Sequence, residues 1–382
     1  MDTPTVVIAG AGIGGLTAAL TLHQRGASVT VVERAQTLRP LGVGINLLPH
    51  AVRELDALGL GSRLASISVA PSAISYFDSR GNHLFREPRG IEAGYSHPQR
   101  SVHRGRLHAM LVDAVTERLG PQAIRTAAAL TAFTQRTRRV VAHTEADDLS
   151  ADILVGADGV SSVVRSALHP GPDPLLWSGV RMYRGAAGMP PFLDGRTMAI
   201  VQGGPDSPGI DLVTYPIGDG LVNWVLQVRD GVAGPLPGHA GWNEPADPAQ
   251  VAAYVADWDL GWLDAAALPR LSERVFEYPM VDRDVLPHWG AGPVTLLGDA
   301  AHPMYPVGAN GASQAIVDAR VLADELDRDP GTGLRAYERL RRRNTAYVIA
   351  ANREMHAAGT ERGEDIARVT TRYRNDTERS TS

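Results

Sequence analysis

Residues 5–34 read TVVIAGAGIGGLTAALTLHQRGASVTVVER, a strand, turn, helix and strand in succession. Thr5–Ala9 is a short apolar run suited to a buried strand. Gly10–Gly15 follows as a turn, Leu16–Arg25 as a helix and Ser28–Glu33 as a second buried strand. Gly10, Gly12 and Gly15 keep the G-x-G-x-x-G spacing of a dinucleotide-binding turn. The first glycine makes the tight turn, the second admits a diphosphate close to the backbone, and the third lets helix pack on strand. The helix that opens there offers free N–H groups and its positive dipole end to phosphate. Gly10, Gly12, Ile13, Gly14 and Gly15 are therefore candidate cofactor contacts. Glu33, at the end of the second strand, and its neighbour Arg34 join them. An acid in that place suits ribose hydroxyls rather than a 2′-phosphate, which favours FAD or NAD over NADP. The motif alone leaves FAD and NAD open.

The alternation of strand and helix resumes further along. Asp152–Ala157 and Val294–Leu297 read as buried strands, and Arg104–Leu119, Ala312–Leu326 and Leu334–Met355 as helices, with a shorter helix at His50–Leu58. Ala73–Phe77 alternates like a strand. Between 170 and 279 prolines, tryptophans and β-branched runs such as Leu221–Val228 predict antiparallel sheet. The expected division is a cofactor domain in three pieces (1–72, 102–170 and 280–328). A substrate domain is inserted as 73–101 and 171–279, and 329–382 forms C-terminal helices and a polar tail.

Composition narrows the function. With 37 basic and 42 acidic residues the net charge is −5, which gives no field that would draw the chain to nucleic acid or anionic lipid. Arg339, Arg341, Arg342 and Arg343 cluster within a helical pattern and read as a solvated face. There are no cysteines, so disulfides, thiolate metal sites and redox dithiols are excluded, and redox chemistry must come from a bound cofactor. No apolar run long enough to span a bilayer is present, and the N-terminus reads as a folded strand, not as a signal peptide, so a cytoplasmic location is expected. G-x-S-x-G, P-loop and His-x-x-x-His patterns are missing, His50, His103 and His288 show no metal-ligand spacing, and no metal is expected.

Two further motifs separate FAD from NAD. Asp158-Gly159, within ADGVSSVVR at 157–165, and GDAAHP at 298–303 resemble the Asp-Gly and Gly-Asp motifs of the class A flavoprotein aromatic hydroxylases. With the N-terminal turn they occur in the order of the para-hydroxybenzoate hydroxylase fold, and the resemblance covers nearly the whole chain. It implies an α/β protein with an FAD-binding Rossmann-like domain of glutathione-reductase type, an inserted antiparallel-sheet substrate domain and C-terminal helices. Asp299 follows a buried strand, at the sheet edge where ligands bind, and is placed to accept hydrogen bonds from ribityl hydroxyls. Pro306, Gly308, Asn310, Gly311 and Ala312 form a small-residue loop and helix start, open enough for a flat ring and able to stabilise negative charge on it. By the resemblance, Arg104 reaches the FAD phosphates or ribose. The Pro40–Ile45 loop, with Gly42, Val43 and Gly44, runs beside the isoalloxazine, and Ala128 contacts the adenine through its main chain. Asp158, with Arg165, stays open between FAD, the nicotinamide donor and a structural role, whereas His302 reads as structural.

Long stretches resemble the phenazine-hydroxylating branch of that family: RPLGVGIN at 39–46, EPRGIEAG at 87–94, YPMVDRD at 278–284, LPHWG at 286–290 and TLLGDAAHPMYPVGANGASQ at 295–314. DWDLGWL at 257–263 resembles a helix of its substrate domain. Tyr183 stands where tryptophan is expected, and the loop from Ile217 to Leu221 is short. The implied chemistry is reduction of non-covalent FAD by NAD(P)H, addition of O₂ to give a C4a-hydroperoxide, and oxygen transfer to an electron-rich ring. Pocket candidates are Tyr183, Arg184, Tyr215, Trp224, Tyr305 and Pro306, with no catalytic base assigned. A flavin-dependent dehydrogenase or reductase without oxygenation, or a catalytically silent flavin-binding protein, stays open as an alternative.

Overall fold

The computed structural model describes residues 3–39, 42–136, 139–205, 207–238 and 243–358. Expectations for Pro40 and for the polar tail after Gly359 lie outside those residues. Thr5–Ala9 pairs in parallel with Ser28–Val32 on one side and with Ile153–Gly156 on the other. Val294–Leu296 and Ile124–Arg125 add parallel edge strands and complete a five-stranded sheet. Val6, Val7, Ile8 and Ala9 are all buried. Both faces of the strand are covered, which is why its sequence is a continuous apolar run rather than an alternation. Helix Ile13–Gln24 follows the glycine turn and packs on the long helix Asn310–Arg328, where the Thr21 hydroxyl donates to the Ala319 carbonyl at 3.1 Å.

A second, nine-stranded sheet carries the substrate side. Its centre is Leu176–Gly188, antiparallel to Leu221–Arg229 and Phe276–Asp282. Ile210–Gly218 and Leu221–Arg229 form a hairpin whose short turn places Asp219 and Gly220 at φ 52° and 68°. Two adjacent left-handed residues are the signature of a tight hairpin turn, for which Asp-Gly is a favoured pair. Ala73–Asp78 joins this sheet by parallel pairing with Thr197–Gln202. One face packs Tyr183, Trp224, Leu226 and Val228 against Val251, Val255, Leu260 and Leu268. The opposite face looks toward the parallel-sheet domain.

Two expectations need correction. Residues 257–263 are turn and coil rather than helix: the preceding helix, Pro248–Ala253, has ended, the Asp259 N–H donates to the Ser79 carbonyl, and Gly261 sits at φ 70°. Arg341 is not on a solvated face, being only 1% exposed. Its side chain turns inward to Asp318, a pairing that helix periodicity cannot reveal. No helix among the described residues is long and apolar enough to cross a membrane.

Candidate active site

A cavity of about 1090 Å³ lies between the carboxyl edge of the parallel sheet and the facing side of the nine-stranded sheet. Ligand sites run to roughly 300–1,000 Å³, so this space stands at the upper end of that range.

The glycine turn forms one end. Gly10 has φ 103°, and a Cβ there would meet the Ala157 carbonyl oxygen at 2.4 Å; a Cβ on Gly15 would lie 2.0 Å from the Gly10 carbonyl oxygen. A Cβ on Gly12 would meet nothing within 4 Å, so this residue faces open cavity. Glu33 braces the turn: one carboxylate oxygen accepts from the Ala11 N–H and the other from the Ala35 N–H, each at 2.9 Å. Each oxygen keeps a further lone pair for a ribose hydroxyl. Arg34 is exposed beside it. His108, which sequence reading missed, sits with its Nε2 2.7 Å from the Ala11 carbonyl oxygen. Its place on the inward side of helix Arg104–Leu119 was the available signal.

The second edge is built by Gly298–Ala300 and the start of helix Asn310–Arg328. Gly298 has φ 63°, which turns the chain out of its strand, so Asp299 faces the cavity while His302 points inward. The Asp299 carboxyl accepts no hydrogen bond from any described residue. It opens on the cavity rather than on bulk solvent, and desolvation raises its pKa, opposed by the charges of His302 and Arg104. Gly308 and Ala309 are left-handed, at φ 74° and 60°, and lead into the helix with no side chain capping its first N–H groups. A Cβ on Gly311 would lie 3.8 Å from Asp299 Oδ1. Helix Ile13–Gln24 likewise begins without a side-chain cap. Two uncapped helix starts and one unpartnered acid facing a single cavity fit a ligand with a diphosphate, a polyol chain and an electron-poor ring edge. Pro306, Gly308, Asn310, Gly311 and Ala312 all border this space.

The third side is lined by Gly44, Ile45, Asn46 and Leu48, with Gly42 and Val43 behind it. Val43 is buried, and its carbonyl accepts from the Arg104 N–H at 2.9 Å. Gly42 lies against the Arg104 side chain. Gly44 is clamped from the other domain: its N–H donates to Asn223 Oδ1 at 2.6 Å, and a Cβ would clash with that side chain at 2.5 Å. Asn223 was not legible in sequence, because its partner lies 179 residues away.

Gly10, Gly15, Glu33, Arg34, Gly42 and Val43 do not themselves line the cavity, and other predicted residues are engaged elsewhere. Ala128 lies in the loop after Ile124–Arg125, not in a strand, and its N–H is spent on the Glu33 carbonyl. The Asp158 carboxylate accepts from the Ser162 hydroxyl and the Val163 N–H, capping helix Val163–Leu168, and does not border the cavity. Arg165 is buried, paired with Asp173 and donating to the Ala300 and Ala301 carbonyls. It braces the turn that carries Asp299. Tyr183 and Trp224 belong to the opposite face of their sheet, with Trp224 donating to the Ser272 hydroxyl at 2.8 Å, and Tyr305 packs beside Met280 and His356. None of the three lines the cavity. Parity is the reason, since neighbours in a strand face opposite ways: Met182 and Arg184 reach the cavity and Tyr183 cannot. Arg184, Tyr215 and Pro306 do line it. Arg184 donates to the Gly44 carbonyl at 3.3 Å and stands 5.9 Å over the Tyr278 ring.

If Asp299 grips the cofactor, Asp299→Ala should weaken flavin retention by about tenfold or more, the worth of a hydrogen bond to a charged group. Protein-bound flavin after exhaustive dialysis measures this, and retention equal to the parent protein's would detach Asp299 from the cofactor.

The model of the FAD binding domain family matches residues 3–351. A phenazine 1,6-dicarboxylic acid hydroxylase from Lysobacter antibioticus is 44% identical over 400 residues, covering 98% of this chain and 97% of that protein. 3-Hydroxybenzoate 6-hydroxylase 1 from Aquipseudomonas alcaligenes is 34% identical, covering 91% of this chain and 87% of that one. Among solved structures, a variant of HpxO from Klebsiella pneumoniae complexed with FAD superposes with a TM-score of 0.80 at 24% identity, covering 98% of this chain and 94% of the other. At that identity the likeness speaks to fold.

Proposed function

We infer function from one premise, that this chain belongs to the FAD binding domain family: it is an FAD-dependent monooxygenase that hydroxylates an aromatic small molecule, consuming NAD(P)H and O₂. Within that activity we propose a substrate of phenazine type, a flat fused heteroaromatic. The observation that carries the proposal is the continuity of the cavity. The cavity is lined at one end by Gly12 and Asp299 and at the other by a sheet face bearing Tyr76, Ile200, Val213, Val225 and Arg184. Supporting it is the hydroxylase of a phenazine dicarboxylic acid that matches nearly end to end.

When bound, FAD supplies the acceptor for the hydride of NAD(P)H and the centre at which O₂ is activated for transfer of one oxygen atom to a ring carbon. The chain's own part is to bind, orient and exclude water. Glu33, the Gly10–Gly15 turn and Arg104 hold the nucleotide end in this proposal, and Asp299 the polyol chain. The uncapped start of helix Asn310–Arg328 favours negative charge at the ring edge laid against it. Gly42–Gly44, tied to Asn223 and Arg184, fixes the distance between ring and substrate sheet. Ile74, Met198, Ile200 and Val213 supply an apolar floor that keeps water from the reacting face. Residues 73–101 and 171–279 are assigned to the substrate side. A cytoplasmic site of action belongs to the proposal because NAD(P)H is supplied there.

Flavin-loaded protein mixed with NAD(P)H should consume the nucleotide faster when a phenazine is added in air, yielding a product one oxygen atom heavier and little hydrogen peroxide. Stimulation without an oxygenated product would leave a reductase. Stimulation by simple hydroxybenzoates alone would overturn the phenazine assignment.

A further inference from the structure

We propose that Gln202, Asp211 and Gln227 form a recognition row that receives the hydrogen-bond-donating edge of the aromatic substrate, with the Asp211 carboxylate as its central acceptor. The proposal rests on the monooxygenase reading above and deepens it by stating what the ring must carry. The sheet register makes the row. Gln202 stands directly opposite Asp211 across one strand pair, and Asp211 directly opposite Gln227 across the next. Side chains so opposed share a face, with Cβ atoms roughly 5 Å apart, and all three border the cavity. The neighbouring row on the same face, Ile200, Val213 and Val225, is apolar.

None of the three polar side chains makes a hydrogen bond or ion pair with a described residue. Three adjacent polar groups without protein partners, on the wall of a substrate cavity, have their bonding capacity turned toward whatever fills it. Among the described residues, Arg229 is the charged group that acts on Asp211. Arg229 lies two residues beyond Gln227 on the same face, exposed, with its Nη2 3.4 Å from His356 Nε2 on helix Gly333–Ala358. Burial pushes the Asp211 carboxyl up to about 6 against the opposing charge of Arg229, so its charged form is poorly solvated. A flat ring that displaces the water in front of this carboxylate leaves a desolvated charge unless the ring brings a donor. An amino group, a ring N–H or a hydroxyl satisfies Asp211, with the two amides beside it able to donate or accept. A second carboxylate in that position is repelled. Asp211 is on this account a specificity-determining residue.

The test uses the flavin-loaded protein and three ligands of one shape: 1-aminophenazine, which carries a donor, unsubstituted phenazine, and phenazine-1-carboxylate. Dissociation constants are read from the perturbation of the flavin spectrum. The amino compound is expected to bind about tenfold more tightly than phenazine, as one hydrogen bond to a charged group implies. Asp211→Asn should erase most of that preference and tighten the carboxylate at the same time. Gln227→Leu, which leaves the carboxyl in place, should weaken the amino ligand in the same direction by a smaller factor. If all three rings bind but the amino-to-phenazine ratio is the same in the parent protein and in Asp211→Asn, the row does not select the substrate and this proposal falls while the monooxygenase reading stands. If no ring ligand perturbs the flavin of the parent protein, the aromatic pocket itself is refuted and this proposal with it.

Discussion

Asp318→Ala is expected to destabilise the protein by about 3–5 kcal/mol, the cost of leaving a buried charge without its partner. Asp318 is 0% exposed and meets three groups at once. Its Oδ1 accepts from Arg341 Nε at 2.6 Å, and its Oδ2 lies 2.6 Å from His302 Nε2 and accepts from the Gly298 N–H at 3.0 Å. Arg341 in turn donates to Gln314 Oε1 at 2.5 Å. This network joins helix Gly333–Ala358, helix Asn310–Arg328 and the Gly298–His302 turn at one point. Removing the carboxylate strands the Arg341 guanidinium in the interior and frees the turn that aims Asp299 at the cavity, so flavin retention should fall with stability. The pH dependence has a definite sign. Burial opposes it, but Arg341 and the hydrogen-bonded His302 hold the Asp318 carboxyl down at about 2. Its contribution is therefore fully present above the ordinary carboxylate range and is lost as pH falls through that range toward 2. Urea unfolding at neutral pH and near pH 3 checks both statements. A loss under about 1 kcal/mol for Asp318→Ala, at the level of an exposed pair, would show that the network does not hold the turn.

The cofactor half of the molecule is legible in sequence because each of its signals is local. Gly10, Gly12 and Gly15 are constrained by one turn, and Glu33 by the strand that follows it. Asp299 is marked by the glycine before it, whose left-handed conformation redirects the chain. The substrate half is legible only as alternation, and alternation has two phases. Residue types favoured Tyr183 and Trp224 as ring-stacking candidates, yet their parity buries them under residues 248–270, while Arg184 and Tyr215 fall on the other phase. Asp211, Val213 and Tyr215 keep one phase along a single strand, and that pattern was present in sequence. Which phase met the cavity depended on the register of strands 197–202 and 221–229 against it, which is a long-range property. Arg341 shows the same limit in a helix. Four arginines in five positions read as a solvated face, and only the packing of three segments reveals that one of them is the counter-ion of Asp318. Asn223 and Arg165 act at a distance too, positioning backbone that others expose.

The largest effect on the cofactor is expected at the glycine turn, where two substitutions of equal size should fail differently. Gly15→Ala puts a methyl group 2.0 Å from the Gly10 carbonyl oxygen. That atom is backbone, held by the strand pairing of Ala9 and by the Gly10 N–H bond to the Val32 carbonyl at 2.8 Å, so it has little room to yield. Strand and helix must part, at a cost of about 3 kcal/mol by the measure of overpacked cores, and flavin binding should be lost. Gly12→Ala adds the same methyl group in a different place. Gly12 has φ −76° and ψ 179°, a conformation open to any residue, and a Cβ there touches nothing within 4 Å. The apo-protein should therefore unfold at the parent's urea midpoint. The added methyl still projects into the space where a diphosphate must lie against the turn, and flavin affinity should drop at least a hundredfold, more than one lost hydrogen bond explains. Unfolding of both apo-proteins, read beside flavin titration of each, separates the packing role of the third glycine from the access role of the second. Should Gly12→Ala retain flavin like the parent, the diphosphate does not pass over this turn.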